Sequence, residues 1–535
     1  MTMRRRSFLA GAAATAALTP ILASFPRPAV AQSGARVLRY VPEGDLQSPD
    51  PIWSTALVTR THGYMVWDTL YGLDSSFQPK PQMVAGHETS QDGLTWKFTL
   101  RDGLRFHDGE PVRAADCIAS IKRWAVRDVI GQRMTARLKE MRALDDKSFE
   151  IVLTKPFPYI LTAFGKAAAS PCFIMPERIA GDTTKAITEV VGSGPFRFLK
   201  DEWVPGSSAA YARFEDYVPR DEPADFLSGG KVVKLDRVEW TVMPDPATAA
   251  AALQSGEADW WAQPHLDLVP LLRASDGVMV ENYDPFGAIG LLRFNHLNPP
   301  FNNPKLRRAL LPALNQRDFL VAVLGDEADN LGKVPLGPFT PGSAMASDVG
   351  MEAVAGPRDL ELARKLVKES GYNGEKAVIL AASDYPSINA MSLLTRDLLE
   401  KVGINVDYVS TDFGTVVQRR ASKEPLDKGG WSAFVTFADG LAMADPANHY
   451  PLAGAGQSGW FGWFDSPRIE ELRAQWFEAP DLDGRKAVSQ EIQKDFWDEM
   501  PYLPYAQWSQ PFAFRSNLSN IVRFSSPVFW NVEKS

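Results

Sequence analysis

Residues 377–408 read AVILAASDYPSINAMSLLTRDLLEKVGINVDY, and this stretch decides the fold class. Ala377-Val378-Ile379-Leu380 is an unbroken apolar run of strand length. Leu394, Leu398 and Val402 then recur at helical spacing, and Gly403 stops the helix. Ile404, Val406 and Tyr408 alternate as a second strand. Strand, helix, strand at this spacing is a βαβ unit, which implies a parallel pair inside a three-layer domain. Open α/β sheets bind ligands outside the carboxyl ends of their strands, so the loop after Tyr408 is the place to expect a site. Just upstream, Pro357 marks the start of another helix, Leu360, Ala363 and Val367 line one face, and Gly371 ends it.

Towards the N-terminus the pattern changes. Trp96, Phe98 and Leu100 alternate with polar residues, as do Phe149, Ile151 and Leu153. Between them, Ala114 to Arg127 places Ile118, Ile121 and Ala125 on one helical face. This region reads as a small α+β unit. Pro205 to Pro223 and Gly332 to Gly356 are rich in Gly, Pro and polar residues and read as surface connections. No internal repeat or long low-complexity tract interrupts the 535 residues.

The first residues point to export. Arg4-Arg5-Arg6 precede an apolar stretch from Phe8 to Leu22, and Ala29-Val30-Ala31 is a small-x-small cleavage signature. Arg5-Arg6-Ser7-Phe8-Leu9 fits the twin-arginine pattern, with Arg4 and Ala10 in place of its usual flanking residues. Residues 1–31 are therefore expected to be a Tat-type signal peptide, leaving a periplasmic chain. The net charge is −8, and removing four Arg makes it more acidic. Scattered acidic charge argues against nucleic-acid binding, which needs a concentrated basic surface. Cys117 and Cys172 are too few for a disulfide scaffold or a cysteine metal site and read as small buried apolar residues.

Enzyme signatures are absent. Gly454-Ala455-Gly456-Gln457-Ser458-Gly459 satisfies G-x-G-x-x-G, but no apolar strand precedes it and no helix start follows. There is no nucleophile elbow, Walker loop or H-E-x-x-H, and the six His are dispersed. No catalytic residue, metal or cofactor is expected. A secreted hydrolase built on a carboxylate pair is the competing reading from another class.

The run Asp92-Gly93-Leu94-Thr95-Trp96-Lys97-Phe98-Thr99-Leu100-Arg101-Asp102-Gly103-Leu104-Arg105-Phe106-His107-Asp108-Gly109-Glu110-Pro111-Val112 resembles the signature of the peptide/nickel/opine family, family 5, of ABC-importer solute-binding proteins. Gly192-Ser193-Gly194-Pro195-Phe196, Leu253 to Asp259, Asn295 with Pro299-Pro300-Phe301, and Arg307-Arg308-Ala309-Leu310 resemble further family blocks in the family's order. Read physically, the three Asp-Gly pairs of the signature are turns, and His107 between them is a packing or hydrogen-bonding residue rather than a metal ligand. The resemblance implies a periplasmic-binding-protein-like α/β fold: two lobes around a hinged cleft, plus an extra α+β domain. Lobe I would take residues 32–78, 190–284 and 505–535, the extra domain 79–189, and lobe II 285–504. It implies a monomeric receptor that hands a small organic ligand, a peptide or peptide-like molecule, to a membrane ABC permease.

The resemblance also implies a lobe II loop with an aromatic residue, an acid and a later Asp-Pro. Here these are Phe437-Ala438-Asp439-Gly440 and Asp445-Pro446. In peptide binders that acid holds the ligand's α-amino group, so Asp439 is the expected amine contact. Asp445 is a second choice that also reads as a turn residue. Gly440 stands where an aromatic residue is common, which opens the alternatives of an opine, a glycoside or a metal chelate. Trp431 precedes this loop and Trp460-Phe461-Gly462-Trp463-Phe464 follows it. Four aromatics in five positions are not expected to face one core, so Trp460 and Trp463 are candidates to line the cleft. Trp508, in the return to lobe I, is a further candidate. The loop Pro42-Glu43-Gly44-Asp45-Leu46 would lie along the ligand and offer backbone hydrogen bonds, with Glu43 near a cationic group; the other reading is an exposed acidic turn.

Overall fold

A computed structural model describes residues 36–284, 286–479 and 481–535. The expected signal peptide lies outside the described residues. Three main sheets organise the chain. The first has seven strands in the order Val278–Glu281, Phe512–Arg515, Trp260–Trp261, Val37–Val41, Arg237–Thr241, Ser208–Arg213 and Phe196–Phe198. The second has six, in the order Gly332–Lys333, Tyr502–Trp508, Ala288–Phe294, Ala433–Asp439, Ala377–Ala382 and Val406–Thr411. A four-stranded antiparallel sheet, Val84–Thr89, Thr95–Leu100, Ser148–Leu153 and Leu138–Ala143, carries the helix Ala114–Arg127. We call these units the first lobe, the second lobe and the extra domain.

The βαβ unit forms as read. Ala377–Ala382 and Val406–Thr411 pair in parallel, joined by the helix Pro386–Lys401. All six residues of Ala377–Ala382 are buried, which is why that strand is apolar throughout rather than alternating. The upstream helix starts later than Pro357 suggests: it spans Leu360–Glu369, and the Asp359 carboxylate caps it by accepting from the Leu362 N–H.

Two readings need correction. Ser208–Arg213, inside the expected connection 205–223, is a strand whose Ala209, Ala210 and Tyr211 are buried. Its small residues give no strong alternation, and one of its partners, Arg237–Thr241, lies remote in sequence. The lobe boundary expected between residues 504 and 505 cuts the strand Tyr502–Trp508. That strand belongs wholly to the second sheet, where it pairs with Ala288–Phe294 as far as Trp508.

The signature segment is a clasp. The His107 Nε2–H donates to the Gly194 carbonyl at 3.0 Å, and Nδ1 accepts from the Gly192 N–H at 3.2 Å. That pattern needs the neutral ring, and burial depresses its pKa to about 4. Gly192 is required there, since a Cβ would lie 1.8 Å from the Val66 carbonyl oxygen. Cys117 and Cys172 are buried free thiols. The G-x-G-x-x-G stretch is a turn with a short 3-10 segment, Gly456–Ser458.

The extra domain also touches the second lobe. Arg133 donates to the Glu470 carbonyl at 2.7 Å and pairs with its carboxylate, while Tyr159 packs on Trp476 at 5.7 Å.

Candidate functional site

The helix Leu57–Val66 of the first lobe points Arg60 at the end of the second lobe's central strand, Ala433–Asp439. Arg60 Nη2 lies 2.7 Å from Asp439 Oδ2, and both side chains are buried. Arg60 Nε donates to Ser526 Oγ at 2.6 Å, and Ser525 Oγ donates to the same Asp439 oxygen at 2.9 Å. The other carboxylate oxygen accepts from the Leu441 N–H at 2.8 Å. Asp439 is thus the last residue of a strand, not part of a free loop.

Around this pair lies a cavity of about 60 Å³ between the lobes. Thr55, Arg60 and Asp284 line it from one side, and Arg420, Tyr450 and Trp460 from the other. Asp284 is desolvated, and the neighbouring Asp439 charge adds to this, so its carboxyl is pushed up to about 7. Arg60 pairs with Asp439, and Asp284 has no ion-pair partner among the described residues. The volume is several-fold below the roughly 300–1,000 Å³ of small-molecule pockets, so the cleft is closed in this structure. A larger depression of about 900 Å³ lies on the first lobe alone, where Arg220 is paired with Glu222 and Arg523 with Glu281. Asp284 lines it too, but no residue of the second lobe does.

The expected site residues separate into two groups. Asp439 and Trp460 line the cavity; Trp460 Nε1 donates to Thr55 Oγ1 across the cleft at 3.2 Å. Gly44 comes close, packing against the ring of Phe413, which also lines it. Glu43 lies instead in an adjoining pocket of about 290 Å³ with Gln263 and Tyr385. It is half-buried, accepts from the Tyr40 hydroxyl at 3.3 Å, and is raised by burial to about 7, so it is not an exposed turn.

The remaining candidates do not line the cavity. Trp431 is fully buried, donates to the Ser422 carbonyl and packs on Phe434. Trp463 packs on Trp431 at 5.8 Å. Trp508 is buried in its strand with its ring edge on Phe437. Asp445 accepts from the Ala447 N–H at 2.8 Å and so shapes the turn at Pro446. Against the expectation that four aromatics in five positions would not face one core, Trp460, Phe461, Trp463 and Phe464 are all buried in one hydrophobic cluster, with Gly462 at φ 94° and Trp463 at φ 51° turning the chain between them.

Sequence reasoning missed Arg60, Asp284, Arg420 and Tyr450. Two signals existed. Arg60 stands amid the buried face of the helix Leu57–Val66, and Arg420 caps the helix that follows the strand containing Tyr408.

Residues 78–459 match the family model described as "Bacterial extracellular solute-binding proteins, family 5 Middle". The chain is 39% identical over 542 residues to the "Probable peptide ABC transporter periplasmic-binding protein y4tO" of Sinorhizobium fredii, covering 100% of both. It is 25% identical over 517 residues to the "Glutathione-binding protein GsiB" of Pectobacterium atrosepticum, covering 94% of this chain and 93% of the other. Among solved structures, AgaA of A. tumefaciens R10 in complex with agropinic acid superposes with a TM-score of 0.77 at 20% identity, covering 93% of this chain and 99% of that one. The Helicobacter pylori protein DppA in complex with the peptide STSA gives 0.76 at 22%, covering 93% and 98%. At these identities the two structures establish the fold alone.

Proposed function

The chain belongs to family 5 of the bacterial extracellular solute-binding proteins, and from this premise we propose that it is a periplasmic receptor delivering a peptide or peptide-like ligand to an ABC importer. The observation that carries the reading is the cavity between the lobes, where Arg60 pairs with Asp439 and leaves the neighbouring Asp284 without an ion-pair partner among the described residues. A ligand ammonium group can take up the surplus negative charge, displacing the proton that Asp284 otherwise holds. Asp439 is the principal amine contact, with Asp284 beside it. Trp460 covers the ligand from the second lobe. The lobe boundary falls after Trp508, and Phe286 and Gly287, at the entry to the strand Ala288–Phe294, belong to the hinge. The protein acts as a non-catalytic monomer, exported through its paired arginines. Among the described residues no helix is long and apolar enough to cross a membrane, and no cluster of His, Cys, Asp and Glu is arranged to hold a metal.

The test is mass spectrometry of ligand released from protein purified from its native compartment, followed by calorimetry with the identified compound. A peptide or amino-acid conjugate with a free amine is expected. Recovery of a neutral sugar, or turnover of fluorogenic peptides or glycosides, would sink the reading.

A further inference from the structure

Arg420 closes the C-terminal end of the helix Phe413–Arg419, its own N–H donating to the Val416 carbonyl at 2.9 Å. Its side chain reaches the cavity wall, and the residue is only 4% exposed. Nε and Nη2 are buried and have no hydrogen-bond partner among the described residues. Other buried guanidiniums leave one nitrogen unpartnered at most, as Arg293 and Arg473 do with Nη2, and make side-chain hydrogen bonds with the rest. Arg293 donates to the carbonyls of Phe461 and Pro451, both at 2.7 Å. Arg307 donates to those of Phe301, Glu499 and Met500. Arg60 has Asp439 and two serines.

What surrounds Arg420 stabilises a cation without using its donors. The guanidinium carbon lies 4.8 Å from the centre of the Phe461 ring and 5.7 Å from that of Phe434. The carbonyl end of the helix adds partial negative charge. Burial lowers the pKa only to about 10, so the group stays charged at neutral pH. A buried cation with idle donors is costly to the empty protein. Its planar fork matches one partner best, a carboxylate taken in two parallel hydrogen bonds.

We infer that Arg420 is the anchor for a carboxylate of the ligand, across the cavity from Asp284. This rests on the cavity being the ligand site, as proposed above. The charge pattern agrees. With Arg60 committed to Asp439, Asp284 and Arg420 remain without an ionic partner, one of each sign. Tyr450 stands within electrostatic reach of Arg60, Asp439 and Arg420. The cavity is thus complementary to a molecule with one ammonium and one carboxylate, rather than to an amine or an acid alone.

The test uses wild-type protein, Arg420→Met and Arg420→Lys in thermal-shift titrations. The probes are acetate against chloride at constant ionic strength, a pool of dipeptides with free carboxyl ends, and the same pool amidated. Acetate should raise the melting temperature of the wild type and leave Arg420→Met unmoved. Arg420→Met should melt no lower than wild type without ligand, since it trades an unpartnered charge for an apolar side chain. Amidated peptides should bind wild type about 30-fold or more weakly than free ones, and Arg420→Met should lose that discrimination. Arg420→Lys should keep a weakened acetate response, which covers the case that the Met variant fails to fold. A wild type blind to acetate, or an Arg420→Met that responds as wild type does, overturns the anchor whatever the peptides do. If neither pool binds while the acetate response still requires Arg420, the anchor stands and the peptide reading falls.

Discussion

Arg60 of the first lobe and Asp439 of the second meet across the cleft at 2.7 Å with both side chains buried. The pair therefore joins the lobes in the ligand-free protein, apart from the amine contact proposed for Asp439. Removing one partner of a buried pair costs about 3–5 kcal/mol, here borne by the closed form. Asp439→Asn is expected to shift the ligand-free protein towards the open form, raising its radius of gyration in small-angle scattering. It should also weaken the native ligand by about 30- to 1,000-fold in calorimetry. Unchanged scattering and unchanged affinity together would remove Asp439 from both roles.

Asp284 supplies a pH dependence. Its folded pKa, about 7, is above the ordinary 3.8, so the folded state keeps a proton that the unfolded chain releases. The stabilising contribution is complete below about pH 4 and disappears as the pH rises to about 7. Glu43, also near 7, slopes the same way, so the informative quantity is the difference between wild type and Asp284→Asn. Melting curves between pH 4.5 and 7.5 should show a shallower decline for the variant. Parallel curves would contradict the assignment.

Gly440 explains the departure from the aromatic residue common at this position. A Cβ there would lie 2.2 Å from the Phe286 carbonyl oxygen, in the backbone of the hinge. Gly440→Ala is expected to cost about 1–3 kcal/mol in urea unfolding, the usual scale of overpacking. Gly440→Trp should disrupt the hinge rather than confer tighter peptide binding.

Trp460 should report lobe motion. Its indole N–H bonds to Thr55 across the cleft, and Arg293 sits 5.1 Å from its ring centre. Opening breaks the first contact and wets the ring. Ligand-dependent changes in emission should vanish in Trp460→Phe and persist in Trp431→Phe, whose ring lies in the second lobe's core. The opposite result would place the reporter elsewhere.

Export should depend on Arg5 and Arg6. Replacing both with Lys keeps the charge and removes the receptor-read address, so the precursor should remain in the cytoplasm on fractionation. Normal processing of the double variant would assign the chain to the general secretory route.

The fold was legible where its signals are local. The run Ala377–Leu380 and the period of Leu394 and Leu398 lie within one unit, so short-range patterning specified the parallel pair. The turn dipeptides around His107 were read correctly as structural for the same reason. The strand Ser208–Arg213 escaped because Ala-Ala-Tyr-Ala shows weak alternation, although one of its partners, Phe196–Phe198, is close in sequence. The cavity was only partly legible. Asp439 and Trp460 stood in a recognisable block, but Arg60, Asp284, Arg420 and Ser525 converge from four separate stretches of chain. No periodicity relates them, and an arginine on the buried face of a helix shows its purpose only beside its partner.

The contacts of Arg133 with Glu470 and of Tyr159 with Trp476 lie outside the cleft, between the extra domain and the second lobe. They are present together with the Arg60–Asp439 pair, so the second lobe is braced at two separate places, once inside the cleft and once against the extra domain.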